Sequence, residues 1–145
     1  MSSRPLIDEF LTHRKLALVR PAPSTAVMGG QIDKELKPKG YEVSVVYLDT
    51  STPAARLADV KDAVEGAIIA VPKAQCEAAV REAVAAGIPR LWLQAGCESK
   101  EAVALCEKEG VPTVSGKCVL MYAEPVKSVH AFHRFMAKVF GSYEK

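Results

Sequence analysis

Residues 65–96 read EGAIIAVPKAQCEAAVREAVAAGIPRLWLQAG. EGAIIAVP (65–72) is apolar on both alternating faces, the pattern of an interior parallel strand covered from both sides. KAQCEAAVREAVAAG (73–87) follows at once. It is rich in alanine, carries an apolar stripe of Cys76, Val80 and Val84, and ends at Gly87, so it reads as a helix. RLWLQAG (90–96) is again a short apolar run. Strand, helix and strand joined by short connections form a unit whose two strands run parallel, with a right-handed crossover.

The pattern extends in both directions. Upstream, LALV (16–19) and EVSVVYL (42–48) read as strands. Downstream, VPTVSG (111–116) reads as a short fifth strand. PLIDEFLTHRK (5–15) has Leu6, Ile7, Phe10 and Leu11 at helical spacing. A second helix is expected from Val27 to Lys39, capped by Ser24 or Thr25 and stopped at Gly40. TSTPAARLADV (50–60) is a loop with one helical turn. SKEAVALCEKEG (99–110) is a helix with Ser99 as its N-cap and Gly110 as its stop. VKSVHAFHRFMAKVFG (126–141) is an amphipathic helix expected to cap the sheet. Strands alternating with helices predict an α/β, doubly wound, five-stranded parallel sheet with helices on both faces. The expected strand order is 3-2-1-4-5. A ligand would then bind where that order reverses, beyond the carboxyl ends of strands 1 and 4.

The 145 residues fit one domain, 1–145, and an apolar share of 49% with 25% charged residues suits an ordinary globular chain. A net charge of +2 calls for neither nucleic acid nor an anionic membrane as partner. No apolar run approaches the roughly 18 residues of a membrane span. The opening MSSRPLIDEF carries acids among its apolar residues and does not read as a signal peptide. The four cysteines, Cys76, Cys97, Cys106 and Cys118, contain no CxxC pair. They are expected to be reduced thiols in the cytoplasm. Oligomeric state stays open.

Three segments carry a resemblance: GYEVSVVYLD (40–49), the run from Ala67 to Val111, and VSGKCVLMY (114–122). They resemble the small CoA-binding domain proteins, which are similar to the N-terminal domain of the succinyl-CoA synthetase alpha subunit. The resemblance implies a Rossmann-like domain with CoA or acyl-CoA as its small-molecule nucleotide ligand. It implies that the first corner, Val19, Arg20 and Pro21 through Ser24 and Thr25, meets the phosphates. It places Tyr47 and Asp49 near the adenosine and Val71 and Pro72 along the nucleotide. It sets Gln94, Ala95 and Gly96 near the pantetheine arm, and it matches Cys118 to the cysteine that often follows strand 5. The chain also departs from the family. Arg20-Pro21-Ala22 stands where Gly-Ala-Ser is usual, and Pro21 and Pro23 offer no N–H to a phosphate. Leu48-Asp49 replaces the usual Asn-Pro, and Glu124 lies further from Cys118 than the family's acid does.

Anion-attracting features remain at the corner: the helix start near Val27, the Arg20 guanidinium and the Ser24 and Thr25 hydroxyls. Two readings therefore stand. One is a nucleotide-binding module without catalysis of its own. The other is a degenerate scaffold acting as an interaction or regulatory domain. No Ser/His/Asp set, paired cleft carboxylates or phosphate-binding Gly-Lys-Ser loop can be assembled. His130 and His133 share a helix face but lack a third ligand, so no metal is expected. The synthetase's phosphohistidine domain has no counterpart here, so ligase activity does not carry over. Cys118 reads as a small buried hydrophobe, or less simply as a nucleophile. A Cys97–Cys118 pair is conceivable, while Cys76, Cys106 and Trp92 read as core.

Overall fold

Leu16 to Val19 are buried, and the strand they form has a parallel neighbour on each side. The structure is a computed structural model that describes residues 4–21, 32–48, 57–119 and 122. Its elements are α1 (Arg4–Thr12), β1 (Lys15–Arg20), α2 (Ile32–Leu36, continued by a 3-10 turn over Lys37–Lys39) and β2 (Glu42–Tyr47). Then come α3 (Leu57–Val60, continued by a 3-10 turn over Lys61–Ala63), β3 (Gly66–Ile69), α4 (Lys73–Ala85), β4 (Leu91–Gln94), α5 (Lys100–Lys108) and β5 (Thr113–Lys117). The closing helix expected over 126–141 lies outside the described residues, as do Ser24, Thr25 and Asp49.

Alternation along each strand builds two cores. Ala17, Val19, Ile69 and Leu93 turn to one face, where they meet Leu57, Cys76, Val80, Ala102 and Cys106 from α3, α4 and α5. Leu16, Leu18, Ile68 and Trp92 turn to the other, against Ile7, Phe10, Ile32 and Leu36 from α1 and α2. Trp92 is wholly buried, as expected. Its ring meets Phe10 edge-on at 5.3 Å, and its indole N–H donates to the Lys117 carbonyl at 2.8 Å.

All five strands are parallel, in the order β2-β1-β3-β4-β5. The α/β class is the expected one, and the expected order 3-2-1-4-5 is corrected. Burial supplies the reason. All four residues of β3 are buried, whereas in β2 Val46 alone is buried and Glu42 faces solvent. An edge position would expose the apolar surface of β3; the edge falls instead to β2. The lateral order in which strands are added therefore reverses between β1 and β3, and the crevice lies there rather than between strands 1 and 4. The β1 to β2 crossover runs through α2 on one face, and the β2 to β3 crossover runs through α3 on the other.

At the far edge the β4–β5 register slips by one residue, from Leu93 opposite Ser115 to Gln94 opposite Lys117. Gly116 absorbs the extra residue at φ 76°, a conformation that glycine reaches without strain.

Candidate functional site

Because the strands are parallel, all their carboxyl ends share one edge. The register aligns Tyr47 with Arg20, Val19 with Ile69, Ile69 with Leu93, and Gln94 with Lys117. The described members of the sequence-derived set, Val19, Arg20, Pro21, Tyr47, Val71, Pro72, Gln94, Ala95, Gly96 and Cys118, therefore fall along this edge. At about 4.8 Å per strand it spans roughly 19 Å.

Their exposure differs. Val19 and Val71 are wholly or nearly wholly buried, and the Val19 carbonyl accepts the Ala70 N–H at 2.9 Å. Arg20 is also buried, at 6% exposure, and is engaged within the chain; its carbonyl accepts the Leu48 N–H at 2.9 Å. Pro21, Tyr47 and Cys118 are half-buried. Pro72, Ala95 and Gly96 are exposed. Gly96 holds φ 86° in the turn after β4, which suits a residue without Cβ.

Gln94 has a structural task as well as its place at the edge. Its Oε1 accepts the Val119 N–H at 3.0 Å and its Nε2 donates to Cys118 Sγ at 3.0 Å. Both ends of the side-chain amide thus tie β4 to the chain leaving β5. α4 begins behind Pro72, with no side-chain cap on its first turn, while Ser99 Oγ caps α5 by accepting the Ala102 N–H at 3.1 Å. The uncapped donors of α4, with Lys73 at its first position, give the edge a positive end.

Two hollows flank the edge. One, about 410 Å³, lies between Pro21, Leu48 and the α4 side chains Gln75, Ala78 and Glu82. The other, about 690 Å³, lies between the start of α4 and α5. Glu77, Glu98, Glu101 and Glu107 outnumber Lys73 and Lys100 on its walls, which makes it a poor place for a diphosphate. Among the described residues no group of three or more His, Cys, Asp or Glu is placed to hold a metal ion.

Cys76 and Cys106 are core, as the sequence suggested, but the neighbour of Cys97 is not the one conceived. Cys97 lies 3.3 Å from Cys76, sulfur to sulfur, and both are wholly buried. Cys118 packs instead against the core on the opposite face of the sheet, within reach of Gln94, which corrects the conceivable Cys97–Cys118 pair. Cys106 is core, and burial pushes its thiol up. Cys76 is the residue that sequence reasoning left out of any site. The missing signal was the adjacency of β3 and β4, which brings the start of α4 beside the β4–α5 turn.

The family model described as a CoA binding domain matches residues 14–124, which takes in every described strand and the carboxyl edge they form. The chain belongs to this CoA-binding domain family. Among solved structures it is similar to a conserved hypothetical protein from Pyrococcus furiosus, at 32% identity and TM-score 0.64, covering 73% of this chain and 96% of that one. A protein described as redesigned for binding shares the fold at TM-score 0.73 and 22% identity, over 89% of this chain and 96% of that one. A hypothetical protein from Pyrococcus horikoshii OT3 does so at TM-score 0.67 and 24% identity, over 83% and 89%. No curated protein matches. No described helix of this CoA-binding domain protein is long and apolar enough to cross a membrane.

Proposed function

We propose that this chain is a single-domain module that binds CoA or an acyl-CoA along the carboxyl edge of its sheet, without catalysis of its own. The observation that carries the reading is the family match over all five strands and the edge they form. The diphosphate would sit above the β1–β3 crevice, beside the uncapped first turn of α4. Arg20 would contribute there as a buried positive charge that solvent screens little. Ser24 and Thr25 would supply hydroxyls at the same corner. The adenosine would lie toward Tyr47 and Asp49 at the end of β2. The pantetheine would run past Val71 and Pro72 to Ala95, Gly96 and Cys118. Four free cysteines support a reducing, cytoplasmic setting.

Pro21 favours the second reading, a scaffold without nucleotide, because it has no N–H to offer at the corner. Thermal melting separates the two. A ligand that binds only the native state stabilises it by about 2.7 kcal/mol at a hundredfold excess over Kd, a shift of several degrees for a domain of this size. CoA and acetyl-CoA are expected to raise Tm while ATP and NAD at equal concentration do not. An equal rise with all four would reduce the site to a general nucleotide site. A flat panel at millimolar ligand would overturn the CoA reading and favour the scaffold.

A further inference from the structure

β3 and β4 are adjacent and parallel, so the first turns of α4 and the turn leaving β4 emerge side by side on one face of the sheet. Cys76 comes from the former and Cys97 from the latter, in the same core cluster. Their sulfurs are 3.3 Å apart and both thiols are free. A disulfide bond is about 2.05 Å long, so closure asks for an approach of ~1.3 Å. Close sequence neighbours of both thiols, Ala74 and Glu77 on one side and Glu98 and Ser99 on the other, line the open hollow of about 690 Å³. The hollow's walls thus come within two residues of each thiol along the chain, although neither buried sulfur lines it.

We propose that Cys76 and Cys97 form a dithiol oxidation site that closes to a disulfide when the protein meets a hydroperoxide. The two sulfurs have unequal roles. The Cys76 thiol and the Val71 main-chain N–H hold Cys97 below its ordinary value, against the opposing effects of burial and the Glu98 carboxylate. The hydrogen bond to Cys97 pushes Cys76 up, and burial adds to this. Cys97 is therefore the attacking sulfur. Its thiolate attacks the terminal oxygen of the peroxide and the O–O bond breaks. The departing alkoxide takes a proton and leaves as alcohol, with Cys97 as the sulfenic acid. Cys76 sulfur then attacks Cys97 sulfur, the S–S bond forms and the S–O bond breaks. The hydroxide leaves as water with the Cys76 proton. Two electrons pass from the thiols to one peroxide. The product ties the start of α4 to the β4–α5 turn, immediately behind Pro72 and Gly96.

Trypsin cuts after Lys73, Arg81, Arg90, Lys100, Lys108 and Lys117, so the four cysteines fall in four separate peptides. The full chain, reduced and then treated with tert-butyl hydroperoxide, is expected to lose the mass of two hydrogens. Peptide 74–81 should become joined to peptide 91–100, while Cys106 and Cys118 still alkylate once the chain is unfolded. Cys118→Ser should leave the cross-link unchanged. Cys76→Ser, which keeps a hydroxyl donor beside Cys97 but cannot form the bridge, should leave a sulfenic acid on Cys97 that a dimedone probe traps. The proposal is overturned if the wild-type chain stays fully reduced under peroxide that oxidises glutathione, if Cys97 goes to the sulfinic acid unbridged, or if the bridge includes Cys118. Any effect of the bridge on CoA binding rests on the reading in the preceding section. A flat CoA panel would leave the cross-link result standing.

Discussion

Gly66 shows how little room the strand starts have. A Cβ built there would come within 2.8 Å of Arg90 Cγ, 3.1 Å of Phe10 Cε2 and 3.3 Å of the Arg90 carbonyl oxygen. Arg90 cannot easily yield, because its guanidinium donates to the Glu65 carbonyl and faces Glu9 at 3.5 Å. Gly66→Ala is expected to cost about 1–3 kcal/mol by overpacking, read as a lower urea midpoint at unchanged slope. An unchanged midpoint would mean that α1 shifts freely off the sheet. Glycine 66 was legible only as part of an apolar run, since nothing local announces which side chains will crowd it. Gln94 is a similar case. Its position at a strand end was readable, but the two hydrogen bonds that commit its amide to Val119 and Cys118 depend on a strand pairing that spans 24 and 25 residues of chain.

The helices and strands were largely readable from their own composition. α4 and α5 follow from alanine content, apolar stripes and stops, and the Ser99 cap forms as the sequence suggested. Ser99→Ala should destabilise the protein by about 1 kcal/mol, the usual worth of an N-cap. Chemical denaturation would measure it, and a loss below a few tenths would show that the α4–α5 contact holds this end without the cap. Boundaries were less legible. The first helix stops at Thr12 rather than 15, because the next residues are claimed by the sheet: the Arg14 carbonyl accepts the Glu42 N–H and Lys15 pairs with Glu42. Such claims come from partners distant in sequence, and helical periodicity cannot register them.

The two edges of the sheet divide the chemistry. The carboxyl edge holds the ligand candidates, and the amino edge holds an ionic cluster of His13, Glu9, Glu65 and Arg90. There the Glu65 carboxylate accepts the Arg14 and Lys15 N–H groups at 3.2 and 3.4 Å. The Lys15 N–H holds it below its ordinary 4.5, with further help from Arg14 and the nearby positive charges and against desolvation. A lowered carboxylate contributes stability above 4.5 and loses it as pH falls through the lower folded value. Glu65→Gln should therefore be less stable than wild type at neutral pH, with the gap closing in acid. Urea midpoints across pH measure this, and a gap independent of pH would exclude the carboxylate's charge as the cause. Local patterns alone determined the α/β class, the five strands and their common direction, because burial on two faces and helical stripes are written into consecutive residues. The lateral order of the strands was decided only in three dimensions, since main-chain hydrogen bonds are alike for any neighbour. That order moved the crevice from strands 1 and 4 to β1 and β3. It also made β3 and β4 neighbours, which is why Cys97 meets Cys76, while Cys118 packs with the core on the other face of the sheet.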